Sequence, residues 1–188
     1  HCTSLKRLDC IYHHPHLKLL DISHCENLDR LPLLHPETRK NIRRLYCTHL
    51  PQSIDVSKIV GGVNHPWLQE IHVEESNLIN LSPLLKCSQL RDISGLDPSV
   101  RWSILLRVAV TRKDEDWIAE YWDTCLHHLS PPATEDMALA CVDALNIYQQ
   151  SSWNEQLFAK FREIEHSSTG DSLISTQIWT QFFERLYK

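Results

Sequence analysis

The chain has 188 residues, of which 42% are hydrophobic, so it is long enough to bury a sizeable core in one or two domains. Its formal net charge is −5 and it has no long run of Lys or Arg, which argues against a general nucleic-acid binder. No apolar stretch approaches the length of a membrane span, and the seven Cys form no C-x-x-C pair, so a membrane protein, a disulfide framework and a zinc ribbon are disfavoured.

Charged and aromatic residues are distributed unevenly, and this favours two domains. Residues 1–96 hold 11 Lys or Arg against 10 Asp or Glu, with 9 of the 12 His and 5 of the 7 Cys. Residues 97–188 hold 8 Lys or Arg against 14 Asp or Glu, with 5 of the 6 Trp. We therefore predict a boundary between Leu96 and Asp97, where Gly95 and Pro98 interrupt regular structure.

A recurring apolar pattern runs through the first 96 residues. In residues 17–31, LKLLDISHCENLDRL, the spacing L-x-x-L-x-L-x-x-C is that of a leucine-rich repeat. The same frame starts again at Ile42, at Leu68 and, more weakly, at Leu90, so the starts lie 25, 26 and 22 residues apart. The pattern predicts an α/β leucine-rich-repeat solenoid with short parallel strands, because each unit buries its apolar side only by stacking on its neighbours. Strands are expected near residues 18–23, 43–47 and 69–73.

The beginning of the chain matches the middle of one unit. Residues 1–8, HCTSLKRL, align with residues 24–31, HCENLDRL, at His, Cys, Leu, Arg and Leu. On this alignment the strand that should precede the first unit is missing. We therefore expect a fragment with more repeats upstream, and an irregular cap formed by residues 1–8 is the alternative.

From Pro98 onward the apolar period is that of helices. Asp97 or Ser99 is a candidate N-cap for the first helix. The segment KDEDWIAEYWDTCLHHL is acidic in its first turn and ends in two His, as the helix dipole favours. Ser152 stands three residues before Glu155, the spacing of a capping box. Residues 97–188 are therefore predicted to form an all-α helical bundle of four or five helices after the solenoid.

The candidate binding residues follow from the predicted strands. Side chains between the framework residues of such strands project to solvent in adjacent rows and form one continuous concave surface. Tyr, Arg and His beside acidic residues are the mixture that protein interfaces use as anchors. We therefore predict a partner-binding surface there, the alternative being ordinary solvated strand residues. Its residues are Leu19, Asp21, Ser23, His24, Arg44, Tyr46, Thr48, His49, Glu70, His72, Glu74 and Glu75.

Two other groups of residues were weighed for metal binding and catalysis. The His and Cys between residues 10 and 25 are scattered over a turn and lack the two close pairs of a zinc site, so no metal and no cofactor is predicted. Cys125 precedes His127 and His128, but on a helix these side chains do not line up with the thiol. Cys125 and Cys141 lie on apolar stripes, which favours packing in the core.

No catalytic residue is predicted. The chain has no Gly-rich phosphate loop, no G-x-S-x-G elbow and no H-E-x-x-H motif, and no small-molecule substrate is evident. The sequence leaves open whether the protein is an enzyme.

The segments LKLLDISHCENLDRLP and IRRLYCTHLPQSI resemble those of two groups of leucine-rich-repeat proteins. One comprises bacterial secreted effectors, whose short repeats carry Leu-Pro turns and can precede a helical ubiquitin-ligase domain. The other is the repeat portion of NLR-type immune receptors, in which S-x-C-x-x-L-x-x-L-P is frequent. The resemblance covers about half of the chain and implies a repeat fold that binds other proteins.

Together these features predict a protein-recognition module, a fragment of a larger bacterial effector, that binds another protein on its concave face. One alternative is a ubiquitin-transferring enzyme with Cys125 or Cys141 as nucleophile, and another is the ligand-sensing repeat region of an NLR-like receptor. A third is that the helices bind the partner and the repeats support them. The Cys content indicates reduced thiols and a cytoplasmic location, including the cytoplasm of a host cell into which a bacterium secretes the protein.

Overall fold

The computed structural model describes residues 2, 4–8, 11, 13–28, 35–51, 53–60, 67–129, 135–147, 151–167 and 175–186. The chain divides into two compact units, His1–Leu96 and Asp97–Lys188. Two β-sheets lie in the first unit, whereas the described residues of the second unit form helices and their connections.

The first unit alternates short strands with short helical segments. In chain order these are β1 (Leu19–Asp21), α1 (Pro36–Arg39), β2 (Arg44–Tyr46), β3 (Ile54–Asp55), α2 (Val56–Ile59), β4 (Glu70–His72), β5 (Leu78–Ile79), a 3₁₀ helix (Ser82–Lys86) and β6 (Asp92–Ser94). A four-stranded parallel sheet has the order β1-β2-β4-β6, and a two-stranded parallel sheet pairs β3 with β5.

One buried row of side chains sets the register of the four-stranded sheet. The middle residues of its strands, Leu20, Leu45, Ile71 and Ile93, are aligned with one another, and all four are at most 6% exposed. Successive side chains of a strand point to opposite faces, so the residues on either side of this row face the other way. They form two rows, Leu19-Arg44-Glu70-Asp92 and Asp21-Tyr46-His72-Ser94.

The prediction of a leucine-rich-repeat solenoid is wrong. The chain has a small parallel sheet of four strands followed mostly by helices, and its described residues form no clear solenoid of repeats. β1, β2 and β4 lie within the three segments predicted as strands, but the three connections that join β1, β2, β4 and β6 in chain order differ. One contains α1, the next contains β3 and α2, and the last contains β5 and the 3₁₀ helix. The apolar spacing reports which side chains are buried, and it does not require that the connecting segments repeat one another.

Gly95 follows β6 at a point where two backbone segments touch. Its φ is +87°, a left-handed conformation that L side chains rarely adopt. A Cβ atom added here would lie 2.5 Å from the backbone nitrogen of Glu74 and 2.8 Å from its Cα atom. Because these are backbone atoms, they have no side-chain rotamer through which to move away. Gly95 therefore allows the turn after β6 to pack directly against the turn after β4.

We expect Gly95→Ala to destabilise the first unit by about 1–3 kcal/mol, because the substitution adds both backbone strain and a steric clash. Hydrogen exchange of peptides covering residues 70–94 measures the local free energy of opening. Ser82→Ala, a change at an exposed position of the same unit, is the matched control and should shift that free energy by less than about 0.5 kcal/mol. Equal protection in the two variants would contradict the assignment.

The second unit contains five helices in its described residues: α3 (Pro98–Arg112), α4 (Glu115–His128), α5 (Glu135–Ile147), α6 (Ser151–Ser167) and α7 (Thr176–Leu186). Asp97 is the N-cap of α3. It accepts hydrogen bonds from the hydroxyl and the backbone N–H of Ser99, which lower its pKa. The expected capping box at Ser152 is wrong, because α6 begins at Ser151 and Ser152 already lies within the helix.

Trp122 lies at the centre of the second unit's core. Its side chain is fully buried and stacks on Trp153 with ring centroids 4.3 Å apart. Its Nε1 donates a hydrogen bond to Oε1 of Gln156 at 2.9 Å, so the one polar atom of the indole has a partner. The unit therefore depends on this ring for both apolar burial and a satisfied polar group.

We expect Trp122→Ala to reduce the free energy of unfolding by about 3–5 kcal/mol, because it leaves a large cavity and removes the partner of Gln156. Chemical denaturation followed by circular dichroism measures the loss. Glu120→Ala on the same helix is the control, since Glu120 is exposed and its truncation should change the free energy of unfolding by about 0.5 kcal/mol or less. A loss in Trp122→Ala no larger than that of the control would refute this role.

Candidate partner-binding face

The parallel register brings the predicted binding residues of three strands next to one another. Leu19, Arg44 and Glu70 are neighbours in one row, and Asp21, Tyr46 and His72 are neighbours in the other. We call the polar face the two outward rows together with the residues that follow β1, β2 and β4. Its members are Leu19, Asp21, Ser23, His24, Arg44, Tyr46, Thr48, His49, Glu70, His72, Glu74, Glu75, Asp92 and Ser94.

Two members of the polar face were missing from the sequence prediction. Asp92 and Ser94 extend the two rows because β6 pairs with β4. The apolar frame that starts at Leu90 and continues at Ile93 indicates these two residues. It makes Ile93 a buried position, so residues 92 and 94 on either side of it should point outward. This frame is a weaker copy of the pattern than the three before it, so the predicted surface does not extend to its outward residues.

Glu70 is the centre of a hydrogen-bonded cluster on the polar face. Its Oε2 atom lies 3.2 Å from Nε of Arg44 and accepts a hydrogen bond from the hydroxyl of Tyr46 at 3.4 Å. Nε2 of His72 lies 3.8 Å from the same oxygen. One carboxylate oxygen therefore faces the guanidinium of Arg44, the hydroxyl of Tyr46 and the imidazole of His72, and the side chains of this cluster restrict one another's orientation.

The ring of His72 is held on two sides by neighbouring strands. It stacks on Tyr46 with centroids 4.5 Å apart and an angle of 3° between the ring planes. Its Nδ1 atom shares a hydrogen bond of 2.7 Å with the hydroxyl of Ser94. Aromatic pairs directly across adjacent strands stabilise a sheet, so this stack fixes two anchor-type side chains in one arrangement.

A second ring stack lies in the turns at the carboxyl ends of the strands. His24 and His49 stack with centroids 4.2 Å apart and an angle of 21° between planes. Nε2 of His49 lies 3.2 Å from Oε2 of Glu75. All three residues have positive φ, between 53° and 58°, so each turn has the same left-handed step. The turns thus place the imidazoles side by side, as the strands do for Tyr46 and His72.

Hydrogen bonds join these turns through the hydroxyl of Ser23 and the backbone carbonyls of Thr48 and Glu74. The N–H of Thr48 donates to the hydroxyl of Ser23 at 3.2 Å, and the N–H of His24 donates to the carbonyl of Thr48 at 3.0 Å. The N–H of His49 donates to the carbonyl of Glu74 at 2.9 Å. The Ser23 hydroxyl therefore has a structural partner, although it was predicted to contact another protein.

The polar face is acidic, although the first unit as a whole is not. The face carries five carboxylates and one guanidinium, a net charge of −4 with neutral His, whereas residues 1–96 together carry +1. Asp21, Glu74 and Glu75 are exposed, and Glu70 and Asp92 are half-buried. The polar face thus carries five of the ten acidic residues of this unit but only one of its eleven Lys and Arg residues.

The Cys residues considered as nucleophiles are buried. Sγ of Cys125 donates to the carbonyl of Trp102 at 3.6 Å, and burial raises the pKa of this thiol to about 12. Burial also raises the pKa of Cys141. A transferring nucleophile needs an accessible thiol with a lowered pKa, so both residues have the character of core residues.

Metal and membrane features were examined within the described residues alone. There, no group of three or more His, Cys, Asp or Glu is arranged to hold a metal ion, and Cys10 lies outside the described residues. None of the helices in the same part of the chain has both the length and the apolar character needed to cross a membrane.

No protein-family model matches the chain, and no match is found among curated proteins or solved structures. The function is therefore argued from the geometry and charge of the polar face.

We expect Cys125 and Cys141 to resist alkylation at pH 8 in the folded protein. A thiol with a pKa of about 12 is ionised to only about one part in ten thousand at that pH, and burial also blocks the reagent. Iodoacetamide labelling followed by mass spectrometry of each Cys peptide measures this. Cys2, which is exposed, is the internal control and should be labelled, and unfolding in guanidinium should expose the other two thiols. Labelling of Cys125 at the rate of Cys2 would support the transferase alternative.

Proposed function

We propose that the protein is a protein-recognition module and that its polar face binds another protein. The observation that carries this proposal is the combination, on one sheet face, of the Tyr46–His72 ring stack with the carboxylate cluster around Glu70. Tyr and Arg are the side chains most often found as interface anchors, and here they stand in adjacent positions of the same sheet.

The fixed arrangement of these side chains supports binding. A surface whose side chains are held by one another loses little conformational entropy when a partner docks. Tyr46 is held by its stack on His72 and by Glu70, and His72 is held in addition by Ser94. Such preorganisation leaves more of the contact energy available for affinity.

Leu19 adds an apolar contact at one end of the first row. Its side chain is 47% exposed, and it lies beside Arg44 in the register. In an interface, an exposed apolar side chain can lose its water and pack on the partner, while a charged neighbour forms the polar rim. The polar face thus contains an apolar group, aromatic rings and charges of both signs.

We expect a photo-crosslinking residue on the polar face to capture the partner directly. Leu19→p-benzoylphenylalanine places the probe at an exposed site of this face, and irradiation in a lysate of the source cells should give a discrete adduct identified by mass spectrometry. Adding Tyr46→Ala should reduce the adduct about tenfold, because loss of an anchor residue costs on the order of 1–2 kcal/mol. Glu70→Lys with Glu74→Lys should reduce it as well, without unfolding the protein.

The matched control carries the same probe on the helical unit. Phe183→p-benzoylphenylalanine uses a residue of similar exposure, 40%. An adduct formed by the Leu19 probe alone, and sensitive to Tyr46→Ala, supports the polar face. Adducts formed only by the Phe183 probe would assign partner binding to the helices. An adduct that survives all face substitutions would refute the proposed surface.

A further inference from the structure

We infer that the polar face binds a basic segment of its partner and releases it as the pH falls from about 8 to about 5.5, through charge gained by His24, His49 and His72. The inference rests on the proposed function of the same face, and it adds the chemistry of the partner and a means of regulation. Histidine is the side chain whose charge ordinarily changes within this pH range.

The charge of the polar face indicates the sign of the partner. Its net charge is −4 when the three imidazoles are neutral, in a unit whose total is +1. The exposed bases Lys18, Arg43 and Arg91 precede β1, β2 and β6, whereas the exposed acids Glu74 and Glu75 follow β4. The face is thus most negative towards the carboxyl ends of the strands, where electrostatic complementarity favours Lys or Arg from the partner.

The ring stacks favour arginine in particular. A planar guanidinium packs well on aromatic faces and also forms paired hydrogen bonds with a carboxylate. Within the face, Nε of Arg44 lies 3.2 Å from Oε2 of Glu70, an oxygen that also accepts a hydrogen bond from the hydroxyl of Tyr46. A partner Arg at the carboxyl ends would meet rings of His24 and His49 and the carboxylate of Glu75 in a comparable arrangement.

Protonation of His72 acts on the carboxylate at the centre of the face. Nε2 of His72 is 3.8 Å from Oε2 of Glu70, which already pairs with Arg44. On the other side, β6 presents the hydroxyl of Ser94 and the carboxylate of Asp92. A positive charge on His72 therefore places a second cation beside Glu70 and neutralises its negative charge within the face. Glu70 then attracts a basic partner less strongly.

His24 and His49 act in the same direction at the turns. Nε2 of His49 is 3.2 Å from Oε2 of Glu75, so a protonated His49 pairs with that acid. The ring of His24 is stacked on His49, and the nearby strand and turn contribute Asp21 and Glu74. A positive charge on either imidazole lowers the negative potential at the carboxyl ends of the strands. With all three imidazoles charged, the net charge of the face changes from −4 to −1.

The test measures binding of a fluorescent peptide of about ten alternating Arg and Ser residues by anisotropy, at constant ionic strength, from pH 8 to pH 5.5. An acidic peptide of equal length is the reference. The face variant combines His24→Asn, His49→Asn and His72→Gln, because Asn tolerates the left-handed backbone at the first two positions. The matched control replaces three histidines of the helical unit, His127→Gln, His128→Gln and His166→Gln.

We expect the wild-type protein to bind the arginine peptide at least about tenfold more weakly at pH 5.5 than at pH 8. The face variant should bind the arginine peptide more weakly than wild type at pH 8, because it lacks the three rings, and it should lose most of the pH dependence. His72→Gln alone should lose part of the pH dependence. The helical control should behave as wild type does. Glu74→Lys with Glu75→Lys should weaken binding at pH 8.

Two results would overturn the inference: no preference for the arginine peptide over the acidic one, or the same pH dependence in the face variant and the helical control. The Leu19 crosslinking probe separates this failure from that of the proposed function. If its adduct forms equally at both pH values, the face binds a protein but is not regulated by these histidines. If neither adduct nor peptide binding occurs, both proposals fail.

Discussion

The first unit depends on the burial of a single row of side chains across four parallel strands. Leu20, Leu45, Ile71 and Ile93 lie in register and exclude water from one side of the sheet. Each strand has only three residues, so a shift of one position in any strand would bring a polar side chain into the core and expose an apolar one. The cost of that exchange fixes the register. The register in turn determines which side chains are neighbours on the opposite face.

Core packing therefore determines which positions lie on the polar face. It does not determine which residue types occupy them. Tyr46, Glu70 and His72 are not needed to bury the row beneath them, since any outward residue would be compatible with it. They contact one another through a ring stack, a hydrogen bond and the approach of Nε2 of His72 to within 3.8 Å of the Glu70 carboxylate. The mutual restriction of these side chains is the property that makes binding the most economical explanation of the face.

The two units obtain their stability in different ways. In the first, backbone ladders and tight turns bring segments together, and Gly95 permits one such contact because it has no Cβ atom. In the second, large rings fill the space between helices, as Trp122 and Trp153 do. Cys25, Cys47, Cys125 and Cys141 are buried in these interiors, whereas Cys2 is exposed. Burial raises the pKa of Cys47 and Cys125 to about 12, because the thiolate is poorly solvated there.

The sequence by itself determined the apolar positions of the sheet's buried row and two candidate N-caps for the first long helix. Periodic Leu and Ile positions indicated the row, and Asp97 was a candidate N-cap together with Ser99, because both signals lie in the spacing of residues close in the chain. The solenoid expected from the same spacing was wrong, since spacing carries no information on whether the connecting segments adopt one conformation. Only the tertiary structure decided that Asp92 and Ser94 belong to the polar face, and that Glu70 meets Arg44, Tyr46 and His72. Apart from the contact of Glu70 with His72 on the same strand, those contacts join residues more than 20 positions apart, and they exist only once the strands have paired.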